Sequence, residues 1–246
     1  MPLDDTQYFQ KRRKKNIKEL SQNYKIKHIT NDWFVNASNH GYSYNFDWLG
    51  LPIIQFPQDI VAIQEIIWNT KPDLIIETGV ARGGSLIFSA SMLHLLNGNG
   101  KVIGVDIDIK NHNRERIECH PLSDRIKLIQ GSSTDQEVVN KIKKDITSNL
   151  RVMVILDSNH THNHVLQEIE IYAPLVTIGC YCLVMDTIVE DMPDNYYNDR
   201  PWGKNNNPKT AVHEFLGSSD QFEIDNFIQD KLLITVAPDG YLKRIK

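Results

Sequence analysis

Apolar positions cluster along the middle of the chain in short, nearly unbroken runs: Leu74-Ile75-Ile76, Val102-Ile103-Gly104-Val105, Val152-Met153-Val154-Ile155-Leu156 and Cys180-Tyr181-Cys182-Leu183-Val184. Runs of that length without polar alternation predict strands covered on both faces, the signature of a parallel sheet. Arg125 to Gln130 reads as a further strand of the same series. The segments between them carry helical spacing. Pro57 opens a helix with Ile60, Ile63, Ile66 and Ile67 on one face, closed by Lys71-Pro72. Leu86 to Leu93, Val165 to Tyr172 and Thr210 to Leu216 are predicted helices as well. Near the end, Leu232–Val236 and Tyr241–Ile245 flank Pro238-Asp239-Gly240, which predicts an antiparallel hairpin turning at Asp-Gly. The order predicts an α/β domain with a mainly parallel seven-stranded sheet, helices on both faces and a C-terminal antiparallel hairpin. In such a sheet a ligand sits beyond the carboxyl ends of the strands.

The first 50 residues differ in character. Met1 to Thr30 is polar and charged, with Lys11-Arg12-Arg13-Lys14-Lys15 at its centre, and Asn36 to Gly50 is rich in aromatics and turn formers, its alternating Tyr42, Tyr44, Phe46 and Trp48 able to cover the edge of a site or to cap the core. We therefore expect a helical or irregular appendage over 1–50 and the main domain over 51–246. The basic run fits a tether for an anionic partner or, as the commoner case, a solvated amphipathic helix. Overall the chain is 41% hydrophobic and 24% charged, ordinary for a globular protein, and its net charge of −4 argues against nucleic acid as the main ligand. No apolar run approaches the roughly 18 residues of a membrane span. The start, Met1-Pro2-Leu3-Asp4-Asp5, does not read as a secretory leader, and three cysteines (Cys119, Cys180, Cys182) offer neither a disulfide framework nor a zinc knuckle. The expected location is the cytoplasm.

Candidate chemistry collects where the apolar runs end. The first runs into Glu77-Thr78-Gly79-Val80-Ala81-Arg82-Gly83-Gly84-Ser85, a glycine-rich turn before a helix. Gly-x-Gly-x-x-Gly, which seats a diphosphate on a helix N-terminus, is absent. Glu77 at a strand tip repels diphosphate and suits a ligand bearing an ammonium and a sulfonium, which points to S-adenosylmethionine over NAD. Gly79, Arg82, Gly83 and Ser85 complete this candidate cofactor loop. Asp106, ending the next run, is placed to accept from both hydroxyls of a ribose, in preference to Asp108. Ser132 or Ser133 is a candidate neighbour of the adenine ring or a helix cap. Asp157 and Asp186 end neighbouring strands, and two carboxylates that close call for a cation between them; an all-oxygen pair suits Mg²⁺. Asp157 also borders the cofactor. His160, three residues past Asp157, is a candidate general base. His162 and His164 read as turn and helix-start residues, although the three histidines at alternate positions also allow a zinc site. The polar stretch from Ile188 to Lys209 is long enough to be a lid, with Tyr196, Tyr197, Trp202 and Asn205-Asn206-Asn207 available to stack on and hydrogen-bond an acceptor.

These motifs together resemble the cephalosporin hydroxylase/rhamnosyl O-methyltransferase family, class I methyltransferases of Rossmann-like fold. The likeness runs from about Trp48 to the carboxyl end. It rests on Glu77-Thr78-Gly79 with Arg82-Gly83-Gly84-Ser85, Val102-Ile103-Gly104-Val105-Asp106, Asp157-Ser158-Asn159-His160, Val184-Met185-Asp186-Thr187 and Gly240-Tyr241-Leu242-Lys243-Arg244. The resemblance implies S-adenosylmethionine around Glu77, Gly79 and Asp106, Mg²⁺ on Asp157 and Asp186, and His160 as base. One departure stands out: the family pattern carries Glu-Asp where this chain has Met185-Asp186, and Glu190 or Asp191 is then a possible substitute ligand. The expected activity is methyl transfer to a hydroxyl of a sugar, glycoside or other polyhydroxylated small molecule, with no nucleic-acid partner, no membrane insertion, and homo-oligomerisation left open. The alternatives are a catalytically lapsed cofactor-binding module and an NAD-linked sugar enzyme. No arrangement of two histidines and a carboxylate argues for the non-haem iron that "hydroxylase" would need.

Overall fold

The fold is described from a computed structural model over residues 4–194 and 196–246. In chain order the elements are α1 (Asp5–Ser21), α2 (Tyr24–Asn39), β1 (Asp47–Trp48), β2 (Leu51–Pro52), α3 (Pro57–Thr70), β3 (Leu74–Thr78), α4 (Gly84–Leu95), β4 (Lys101–Asp106), α5 (Asn111–Glu118), β5 (Ile126–Gln130), α6 (Gln136–Lys143), β6 (Val152–Leu156), α7 (His162–Tyr172), β7 (Tyr181–Val184), α8 (Pro208–Ser218), β8 (Phe222–Ile224), α9 (Asn226–Leu232) and β9 (Tyr241–Arg244). The main sheet has seven strands in the order β5-β4-β3-β6-β7-β9-β8. Its first five are parallel, and β9 runs antiparallel to both β7 and β8.

Strand alternation sorts the core into two layers. Ile75, Val102, Met153, Ile155, Tyr181 and Leu183 face α3, α4, Ile117 of α5 and Ile228 of α9. Leu74, Ile76, Ile103, Val105, Val154, Cys182 and Val184 face α6, α7 and α8. Because the central strands are buried on both sides, they lack polar alternation, as predicted.

The antiparallel C-terminal pair is present, with one change of partner. Its first strand is Phe222–Ile224, not Leu232–Val236. Leu233 takes a left-handed backbone conformation (φ 60°) that ends α9. Buried Asp59 of α3 then accepts from Val236 N at 3.0 Å, from Tyr241 Oη at 2.6 Å and from the Thr235 hydroxyl. That clamp holds 235–240 as a loop against α3, so its apolar residues pack without a strand partner.

Helix α1 lies largely in solvent; only Ile17 and Ser21 are buried, and Arg13 reaches Glu65 of α3 at 3.3 Å. Helix α2 is better anchored: Phe34 is buried and stacks on Phe56 with ring centroids 4.7 Å apart. Cys119, Cys180 and Cys182 are unbridged. No helix among the described residues is long and apolar enough to cross a membrane.

Candidate active site

On β3 the alternation that sends Ile75 toward α4 sends Glu77 the same way, two residues later. Glu77 is 2% exposed and accepts from the hydroxyl of Ser85 in the first turn of α4. Its second oxygen, Oε2, is buried without a partner among the described residues. Burial pushes the Glu77 carboxyl up to about 7, against the opposing pull of the Ser85 hydroxyl. A buried carboxylate with one vacant acceptor is completed by a charged N–H donor, and the ammonium of S-adenosylmethionine fits that requirement. Gly79 follows with φ 92°, and a Cβ there would lie 2.0 Å from the Asp157 carbonyl oxygen. Only glycine allows the β3 turn and the β6 tip to pass so closely. Asp106 fastens this loop: Oδ2 accepts from Val80 N at 2.8 Å and Ala81 N at 3.3 Å, and Oδ1 from Asp108 N at 3.0 Å.

Across the sheet, β6 delivers Asp157 on the same face as Ile155, hence on the same face as Glu77. Gln55, 7% exposed and just ahead of α3, donates to Asp157 Oδ2 at 3.1 Å. Asp186 arrives differently. By parity of β7 it is Met185 that shares the layer of Tyr181 and Leu183, and Met185 is 1% exposed in that core. The strand stops at Val184, and Asp186 adopts a left-handed conformation (φ 54°, ψ 23°) that breaks the alternation. Asp is among the residues that tolerate this conformation, and such backbone gathers at functional sites. The turn brings Asp186 Oδ2 to 3.2 Å from His160 Nε2.

Asp157, His160 and Asp186 each offer a ligand atom, and these atoms lie within 4.8 Å of one another. Burial first, then the negative charges of Asp186, Glu77 and Glu168, raise the Asp157 carboxyl well above its ordinary range. A divalent cation would relieve that repulsion, and two carboxylates are suitable donors for Mg²⁺. Beside them opens a cleft of about 360 Å³, lined among others by Phe34, Tyr44, Tyr196, Tyr197, Arg200 and Trp202. Trp202 meets the His160 ring edge-on, with centroids 4.8 Å apart.

The sequence model of the rhamnosyl O-methyltransferase/CmcI family matches residues 40–245. The chain belongs to this family. Among curated relatives, rhamnosyl O-methyltransferase of Mycobacterium tuberculosis H37Rv is 29% identical over 202 residues, covering 80% of this chain and 77% of the relative. Its counterpart in Mycobacterium leprae is 30% identical over 149 residues, 59% of this chain and 62% of that one. Among solved structures, CmcI with Mg and SAM superposes with a TM-score of 0.56 at 21% identity, covering 82% and 78% of the two chains. An O-methyltransferase from Bacillus cereus in complex with SAH gives 0.52 at 16% identity, covering 79% and 81%. At these identities the structural likenesses carry the fold.

In this member of the rhamnosyl O-methyltransferase/CmcI family the predicted residues fall into three groups. Glu77, Gly79, Asp106 and Asp157 lie at strand tips or their turns and Ser85 in the first turn of α4, with the contacts given above. Gly83 caps α4 with φ 87°. Arg82 is exposed, with its guanidinium 3.4 Å from His112 Nε2, and Ser132 faces the Thr134 hydroxyl at 3.1 Å. Asp157, His160 and Asp186 converge. Other expectations do not hold. Glu190 binds Asn205 N at 2.8 Å and the Asn207 amide, and Asp191 pairs with Lys209 at 2.7 Å, so neither substitutes at the carboxylate pair. His162 bonds Thr210 Oγ1 at 2.8 Å and Glu214 at 3.1 Å, and His164 turns toward Ser158 and Ser133, so the three histidines form no zinc site. Tyr196, Tyr197 and Trp202 line the cleft. The asparagines do not: Asn206 accepts from His162 N and Asn207 caps α8. Tyr44, from the aromatic segment read as able to cover the edge of a site, does line the cleft. Gln55, Phe34 and Arg200 escaped the sequence reading, because nothing local marks a residue from a distant segment that folds over a strand tip.

Proposed function

We propose that this chain transfers a methyl group from S-adenosylmethionine to a hydroxyl of a sugar or glycoside, with Mg²⁺ held by Asp157 and Asp186 and His160 as general base. The enzyme class is that of its family, adenosylmethionine-dependent O-methyltransferases. The observation that carries the assignment of roles is the convergence of Asp157, His160 and Asp186 beside an aromatic cleft, on the same sheet rim as Glu77 with its vacant oxygen. The bound cation supplies Lewis acidity that lowers the pKa of an acceptor hydroxyl. Glu77 takes the donor's ammonium, Asp106 its ribose, and Gln55 keeps Asp157 oriented. His160 accepts the hydroxyl proton, and Asp186 at 3.2 Å stabilises the resulting imidazolium. With the donor bound, the freed oxygen would attack the methyl carbon in line, forming O–CH3 as S–CH3 breaks and S-adenosylhomocysteine leaves as a neutral thioether, with positioning as the main source of rate. Aromatic walls from Tyr44, Tyr196, Tyr197 and Trp202 suit the apolar faces of a pyranose.

Within this reading, residues 51–246 form the catalytic domain and the appendage over 1–50 contributes Phe34 and Tyr44 to the acceptor wall. The enzyme works in the cytoplasm, and the exposed α1 is the segment available for homo-oligomer contacts. The test is calorimetry with S-adenosylhomocysteine followed by labelled methyl transfer to rhamnosides with and without Mg²⁺. Absence of cofactor binding at hundreds of micromolar would remove the proposal. Met185 favours a second reading, a lapsed module that binds the cofactor without metal-dependent turnover; it predicts unchanged ligand affinity on adding Mg²⁺.

A further inference from the structure

Helix α7 carries His164, Glu168 and Tyr172 at successive four-residue steps, so their side chains stack on one stripe of the helix. All three reach loops at the carboxyl end of the sheet. His164 Nε2 lies 3.2 Å from Ser133 Oγ, in the loop after β5, and 3.2 Å from Ser158 Oγ, the residue after Asp157. Glu168, fully buried, accepts from Ser158 Oγ at 2.7 Å and lies 3.5 Å from His164 Nε2. Tyr172 Oη donates to the Ser133 carbonyl at 2.7 Å.

The hydrogen inventory fixes the donor. Ser158 has one hydroxyl hydrogen, and it is spent on Glu168, so the contact between Ser158 Oγ and His164 requires hydrogen on Nε2. That same N–H is shared with the Ser133 hydroxyl. We propose that His164 is a positioning residue: it ties the loop after β5, on the cofactor side, to the Asp157-Ser158 tip, on the cation side, and so holds the two half-sites in fixed register. Glu168 keeps Ser158 turned toward the bridge, and Tyr172 holds Ser133 from below. The inference deepens the proposed function and rests on its placement of cofactor and cation. His164 itself touches neither.

The test uses the full chain and the variants His164→Ala, His164→Gln and Ser133→Ala. Calorimetry reads the affinity for S-adenosylhomocysteine and, separately, for Mg²⁺; thermal melting monitors the fold. In His164→Ala both affinities are expected to fall by about tenfold, the scale of one buried hydrogen bond, with the melting temperature within a few degrees of wild type. His164→Gln, whose amide N–H can reach the same hydroxyls, recovers both. Ser133→Ala, cut at the cofactor end, weakens Mg²⁺ binding as well, a cross-effect that loss of local packing would not give. Long-range proton–nitrogen NMR on ligand-free protein should place a hydrogen on His164 Nε2. A bare Nε2, or a His164→Ala protein that loses one affinity alone or neither, overturns the proposal while the proposed function stands. Wild-type protein that binds neither ligand overturns the proposed function, and this inference with it.

Discussion

Glu77 and Asp186 are both acids at strand ends on one rim, yet the backbone brings them there by different routes. Glu77 follows from strand parity: Ile75 is core, so the side chain two positions on lies in the same layer, sealed by Ser85. Asp186 violates parity. It reaches His160 only because β7 ends at Val184 and the backbone turns left-handed. The half proposed to hold the methyl donor is thus made of regular structure packed around a buried charge. The half proposed to hold the acceptor is made of irregular backbone, a half-exposed carboxylate and an aromatic cleft wall. Rigid packing suits a site that must keep one geometry, and loop-built walls change more readily.

If that contrast is right, substitutions in the acceptor half should spare cofactor affinity, and those in the donor half should not. The largest effect is expected at His160→Ala: turnover falls by about 10³-fold, within the usual range for a general base, while S-adenosylhomocysteine binds within twofold of wild type. Equal loss of binding would erase the contrast. Gly79→Ala comes next, since its Cβ would strike the Asp157 carbonyl in a strained φ; thermal unfolding should show a loss of about 3 kcal/mol.

Glu77→Gln should weaken S-adenosylhomocysteine by about 30-fold, the scale of one charge-assisted hydrogen bond. It also tests a pH dependence. Burial holds the free protein's Glu77 at about 7, so below that pH the carboxyl carries a proton that an incoming ammonium must displace. Affinity should therefore rise with pH up to about 7 and level off above it, with proton uptake by buffer on binding at lower pH. Glu77→Gln should flatten the profile; an equally steep profile in the variant would assign the proton elsewhere. The smallest effect is expected at Trp202→Ala: the acceptor KM rises by about fivefold, worth roughly 1 kcal/mol for one stacking contact, with cofactor affinity unchanged.

A stability profile checks the clamp under the acceptor half. Burial raises Asp59 to about 6 in the folded chain against an ordinary value of 3.8, despite hydrogen bonds from Thr235, Tyr241 and Val236 that pull it down. Folded protein then binds the proton more tightly than unfolded, so this contribution is present at low pH and is lost as pH rises from about 4 to about 6, by up to roughly 3 kcal/mol. Asp59→Asn should remove that slope in denaturant titrations at stepped pH.

The apolar runs marked the parallel strands, and the first polar residues after them marked the four acids on the rim, because burial on both faces leaves a continuous hydrophobic record. Helical spacing marked α3, α4 and α7, while the polar α5 left no such signal. Leu232–Val236 carries the same record and is not a strand; Asp59, more than 170 positions earlier, holds it as a loop, and no local pattern contains that contact. His160 was already singled out by its place three residues past Asp157; tertiary structure added that its Nε2 lies 3.2 Å from Asp186 while His162 and His164 turn to other partners. It alone supplied Gln55, the Phe34 wall and the left-handed turn of Asp186. Those depend on distant segments meeting, and strand period carries no information about that.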